Sequence, residues 1–164
     1  MSPWSAVPGV TGVREHFDGR SMILIAELLD AGMQAKEVRY VAVDGDARIA
    51  HLQLTLLPKP TRLPAPPLMA GTVLDVFTVE GYRRRGVARR LWMLARRISE
   101  AQGWPQPVHS PSRAALGDQF AQGVGGIIPH CHHNRLVQAE PKALRRHLSH
   151  DAEWGQNAVV GEMP

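Results

Sequence analysis

The chain is short of cysteine, of lysine and of long apolar runs, and each scarcity narrows what it can be. Its 164 residues include one cysteine, Cys131, which excludes an internal disulfide and suits a reducing, cytoplasmic setting. No run of about 18 apolar residues occurs, so neither a transmembrane helix nor a membrane partner is expected. The opening residues, MSPWSAVPGV, lack a basic stretch followed by an apolar core, so no secretory signal is expected. Only three of the nineteen basic residues are lysine; sixteen are arginine, and seven of those fall between Arg83 and Arg97. Such a concentration would attract an anionic ligand, a nucleic acid or an acidic protein surface. A preference for arginine across the whole chain also follows from genome base composition, so it is discounted as an argument for nucleic acid.

What is present fits one domain over residues 1–164, long enough to bury a core. Hydrophobic content of 44% and charged content of 21% are ordinary for a soluble globular protein. Residues 1–19 carry glycine, proline and charge without periodicity, and read as a loop or loosely docked arm. Ser21–Met33 places Met22, Ile25, Ala26, Leu29 and Met33 on one helical face, with Ser21 as N-cap and Gly32 as stop. Its apolar run Met22–Ala26 equally suits a buried strand, and helix is the reading adopted. Val38–Leu57 is a hairpin: VRYVAV and RIAHLQLTLL are joined by an Asp-Gly turn. Leu52, Leu54 and Leu56 alternate with His51, Gln53 and Thr55, so His51 reads as a half-exposed strand residue rather than a catalyst. Five prolines between Pro58 and Gly71 keep that segment out of a sheet interior.

The organising stretch is Gly71–Ile98. Val73, Val76, Phe77 and Val79 suit a buried strand bounded by Gly71 and Gly81. Ala88, Leu91, Trp92, Ala95 and Ile98 recur at helical spacing, with Arg89, Arg90, Arg96 and Arg97 on the other side. Between strand and helix lies Arg83-Arg84-Arg85-Gly86-Val87-Ala88. The first amides of a helix lack intrahelical acceptors and carry partial positive charge. Gly86 and Ala88 let an anion approach the backbone, and the arginines supply bidentate phosphate donors. The junction is thus a diphosphate cradle in chemical terms, or a solvated basic loop in structural ones.

Arg83-x-x-Gly86-x-Ala88 behind the strand Val73–Val79 resembles the acyl-CoA signature of the GCN5-related N-acetyltransferase superfamily. The resemblance covers the spacing, the preceding strand and the following helix. It implies an α/β (α+β) fold: a mixed, mostly antiparallel sheet flanked by helices. It further implies that Phe77, Thr78 and Val79 contact pantetheine, while Arg83, Arg84, Arg85, Gly86, Val87, Ala88 and Arg89 surround the pyrophosphate. After the helix, which ends near Gly103, Pro105–Ser110 reads as entry to another strand and Arg113–Gln122 as a second helix. His109-Ser110-x-x-Arg113, continuing to Gly117 and Phe120, resembles the matching region of small acetyltransferase-like proteins of actinobacteria and their phages.

The implied reaction is acetyl transfer from acetyl-CoA to a primary amine, by direct attack in a ternary complex. It requires a fixed coenzyme, a polarised thioester, a base for the amine and a proton for the thiolate. An amide near Thr78 or Val79 would polarise the carbonyl. The family's usual strand carboxylate is Thr72 here, which leaves Asp75 and Glu80 as acids nearby. Its usual acid tyrosine corresponds to Phe120, which has no proton to give, so His109 and Ser110 are the substitutes. These departures motivate an alternative, a CoA-binding module without turnover; a basic nucleic-acid binder is a third class. His130-Cys131-His132-His133 lines up four donors, but adjacent ligands rarely share one metal and no Cys-x-x-Cys pair accompanies them, so no metal is expected. Pro141–His150 reads as a short basic helix, residues 151–164 as a mobile tail or a last strand near Ala158–Val160. A homodimer through a sheet edge or tail would fit the implied fold.

Overall fold

Apolar–polar alternation governs the first half of the molecule. The computed structural model describes residues 4–31, 34–62, 66–129 and 136–138. Strand β3 is Arg20–Ala31; it buries Met22, Leu24, Ala26 and Leu28 and turns Ser21 and Ile23 outward. That is a period of two, so the helix expected over Ser21–Met33 is a strand over its described part. Locally, Met22–Ala26 fits either period; partners decide. β4 (Gln34–Asp44) pairs along one edge of β3, while β1 (Trp4–Ala6) and β2 (Val13–Phe17) pair end to end along the other. Those two short strands replace the expected loose arm, and Val7 between them is buried in the core.

β4 and β5 (Ala47–Thr55) form the expected hairpin, with Gly45 in the left-handed region at its turn. β5 pairs antiparallel with β6 (Val73–Thr78), giving the order β1/β2–β3–β4–β5–β6. Residues 58–62 and 66–71 stay outside the sheet, as their prolines require, and meet at an isolated Lys59–Leu68 bridge.

Helix α1 (Val87–Gln102) lies across β4, β5 and β6 and buries Val87, Leu91, Trp92, Met93, Leu94, Ala95 and Ile98. Each large apolar side chain so buried contributes roughly 1.5–3 kcal/mol relative to exposure. Gly103 stops the helix at φ 68°, its N–H bonded to Glu100 and Ser99 carbonyls. The strand expected over Pro105–Ser110 is reduced to one parallel bridge, Thr72–Val108. Pro105 and Pro107 remove amides that a longer ladder would need. Helix α2 runs from Ala115 to Val124, about one half-turn beyond the expected Arg113–Gln122. β7 (Ile127–Pro129) then pairs antiparallel with β8 (Leu136–Gln138).

The architecture is α+β, a mostly antiparallel sheet with helices packed against it, as expected. Among the described residues no helix is long and apolar enough to cross a membrane. The His130–His133 stretch, the Pro141–His150 helix and the 151–164 tail lie outside the described residues.

Candidate functional site

The cleft originates in one glycine and one bulge. Gly71 adopts φ 89°, and a methyl group there would overlap the Gln106 carbonyl oxygen. Its absence lets residues 106–108 reach β6, where Val73 N–H bonds Val108 O at 2.8 Å and Val108 N–H bonds Gly71 O at 2.9 Å. One residue later the register of β6 against β5 shifts, with Leu74 the extra residue between the Val73–Leu54 and Asp75–Gln53 pairs. Such a bulge turns a strand locally. Beyond it, no described segment pairs with the outer edge of β6. The two segments part, and a cleft of about 810 Å³ opens between them.

Alternation shows which backbone groups face that opening. Val79 N–H donates to Ile49 O at 2.8 Å, so Phe77 and Asp75 also turn their amides toward β5. Val76 and Thr78 turn theirs outward. Arg83 Nε donates to the outward Thr78 carbonyl at 2.9 Å. Of the two amides expected to polarise a carbonyl, that of Val79 is therefore committed to the sheet and that of Thr78 lies on the open edge.

At its other end the cleft meets the start of α1. Gly86 is the N-cap at φ 82°, no side chain caps the helix, and its first turn contains no acid. Arg84 also has a left-handed backbone, φ 59°, which costs a non-glycine residue about 1 kcal/mol. The arginines of this turn are mostly tied inward. Arg85 pairs with Asp18 at 2.7 Å, Arg89 donates to Gly123 O at 3.0 Å, and Arg90 pairs with Glu15 at 2.8 Å. Among the described residues Arg84 alone of the five from Arg83 to Arg90 makes no side-chain bond to protein. Its strained, exposed position leaves the guanidinium available to an anion.

Of the residues expected at the site, Asp75, Phe77, Thr78, Arg83, Arg84, Arg85, Gly86, Val87, Ala88, Arg89, His109 and Ser110 all line the cleft; Val79 and Glu80 do not. Glu80 opens a short 3-10 turn over Glu80–Tyr82, and its carbonyl accepts Arg83 N–H. Tyr82, at the same end, donates to Asp44 Oδ2 at 2.6 Å and accepts from Arg20 at 3.0 Å. The Asp44 carboxylate holds its phenol above the ordinary value.

His109 is buried flat against Trp92, ring centroids 4.2 Å apart, and its Nε2–H donates to Gly125 O at 2.8 Å. Phe120 meets both rings edge-on, at 6.0 Å from Trp92 and 5.9 Å from His109. This aromatic joint fixes the wall that α2 contributes. Ser110 Oγ closes a tight turn, donating to Ser112 O and accepting Ser112 N–H. Asp75 has a partner in His51, which strand alternation alone marks as a half-exposed residue: His51 Nε2 lies 2.6 Å from Asp75 Oδ2. Period-two alternation had placed His51 on the wetter face, but only the observed register brings it to Asp75. Among the described residues no group of three or more metal-ligating side chains occurs.

No protein-family model matches the chain. The sequence is similar to ribosomal RNA small subunit methyltransferase I of Mycobacterium bovis and of Mycobacterium tuberculosis, 28% identical over 160 residues and 94% of this chain. The match takes in 53% of each of those proteins, so the chain spans about half the length of the curated relatives it matches. Among solved structures, AAC(6')-Iy in complex with the bisubstrate analogue CoA-S-monomethyl-acetylneamine is similar at a TM-score of 0.42 and 17% identity, over 58% of this chain and 62% of that one.

Proposed function

We propose that this protein binds acetyl-CoA along the open edge of β6 and transfers the acetyl group to a primary amine by direct attack in a ternary complex. One observation carries the reading: a strand edge that no described segment pairs leads into a helix start with no side-chain cap, within one cleft of about 810 Å³. An extended, amide-bearing arm ending in a diphosphate is the ligand that such a surface complements. On this reading the outward amides of Thr78 and Val76 pair with pantetheine, and Phe77 flanks it. The amides of Val87, Ala88 and Arg89, with the Arg84 guanidinium, take the diphosphate. Phe120 offers no proton, so water protonates the departing thiolate.

Calorimetry with acetyl-CoA tests the coenzyme, and thiol release with an amine panel tests the reaction. Native protein should bind, whereas a folded Gly86→Glu variant should not, because its carboxylate fills the cradle and repels phosphate. Equal affinity in the two proteins rejects the site. Binding without thiol release supports the alternative of a CoA-binding module, for which Phe120 is the motive. A second reading, that the chain handles RNA, draws on the similarity to ribosomal RNA methyltransferases. It predicts steeply salt-dependent RNA affinity that acetyl-CoA leaves unchanged.

A further inference from the structure

We infer that His51 is the general base of this transfer and that Asp75 positions it, an assignment resting on the acetyl-transfer reading above. β5 and β6 are in a register that sets His51 opposite Phe77 and Gln53 opposite Asp75. His51 and Asp75 are therefore diagonal neighbours on the sheet face turned away from α1. Their separation, Nε2 to Oδ2, is 2.6 Å. An ionised carboxylate only accepts, so Nε2 carries the hydrogen and Nδ1 the lone pair. Among the described residues no group hydrogen-bonds Nδ1. Phe77 stacks against one side of the ring, centroids 5.8 Å apart.

Asp75 and Phe77 both line the cleft; His51 sits one strand inward on β5, its ring held against both of them. The other candidates are spent differently. His109 gives its Nε2–H to Gly125 O inside the aromatic joint, and Glu80 opens the 3-10 turn beyond the end of β6. Of imidazole and carboxylate, imidazole is the stronger base. The side chains of His51 and Asp75 are 30% and 59% exposed, open enough to meet an amine arriving over that face.

In the step, Nδ1 takes a proton from the amine nitrogen as its lone pair forms the C–N bond. The C–S electron pair leaves on sulfur, which takes a proton from water. The imidazolium, held by the Asp75 carboxylate, returns its proton to solvent. The products are the amide and the free thiol.

The test uses the full chain with acetyl-CoA and tyramine, spermidine or a lysine-containing peptide as acceptor, read by thiol release. His51→Gln should lower kcat about 100-fold and Asp75→Asn about 10-fold, with acetyl-CoA affinity by calorimetry within about twofold of native. The acid limb of the kcat/KM profile should vanish in His51→Gln. In native protein, nitrogen-15 shifts should show neutral His51 protonated at Nε2. Turnover of His51→Gln within about threefold of native overturns the assignment, as does an Nδ1-protonated ring or acetyl-CoA binding without thiol release from any of the three amines. Those outcomes leave the coenzyme reading standing; failure of native protein to bind acetyl-CoA removes both. His51→Asn provides a second variant should His51→Gln not fold.

Discussion

Arg90 Nε and Glu15 Oε1 lie 2.8 Å apart, with side chains only 15% and 5% exposed. This pair fastens β2, the strand that sequence periodicity missed, to the helix that begins at the cleft. Removing one member strands the other charge in the core, which costs about 3–5 kcal/mol. Arg90→Met should therefore lower stability by about 3 kcal/mol in urea unfolding. Arg90→Met with Glu15→Leu should recover most of that loss. Loss in the double variant equal to that in the single one would refute the account.

Arg84 combines backbone strain with a guanidinium that has no partner among the described residues. Arg84→Gly should raise stability by about 0.5–1 kcal/mol through the relieved φ, while weakening acetyl-CoA binding about tenfold through the lost charge. Arg84→Ala should weaken binding equally and leave the strain. Melting curves and calorimetry on both variants separate the two effects, and unchanged affinity in both would remove Arg84 from the site.

The approach of residues 106–108 to β6 depends on the bare backbone at Gly71. Gly71→Ala should destabilise by about 2 kcal/mol or more, from the positive φ and the collision with Gln106 O together. Because the contact anchors the cleft at its closed end, coenzyme affinity should fall in the fraction that folds. Native-like melting would show that the two segments meet without it.

Glu27 accepts from Arg48 at 2.6 Å and 3.0 Å and from Arg39 at 2.7 Å and 3.1 Å. The Arg48 hydrogen bonds hold its carboxyl below the usual range, with burial opposing and Arg39 assisting. A depressed folded-state value stabilises fully above the unfolded value of about 4.3 and is lost as pH falls through the folded one. Glu27→Gln should thus cost about 1 kcal/mol at pH 7, given how exposed Arg48 is, and flatten the decline of stability below about pH 4.3. Denaturant titration of both proteins from neutral to acid pH reads the difference, and parallel curves would contradict it.

Where neighbouring residues carry their own signal, sequence and structure agree. The β4–β5 hairpin announces itself in the alternating leucines and the Asp-Gly turn, and β6, its basic turn and α1 in the switch from period two to helical spacing. β3 did not, because Met22–Ala26 satisfies both periods and its strand state is imposed by pairing on two edges. β1 and β2 are too short, and too rich in nearby glycine and proline, to register. In the site, the basic turn Arg83–Ala88 is legible from its chemistry, and that turn lines the cleft. The His51–Asp75 contact depends on a register that the Leu74 bulge sets, and the inward commitments of Arg85, Arg89 and Arg90 depend on elements far away in sequence.

The side of β6 that no described segment pairs has a consequence for handling the protein. A strand edge with open amides is a template for any extended chain that reaches it, including a second molecule of its own kind. Preparations without acetyl-CoA should clump sooner than preparations with it.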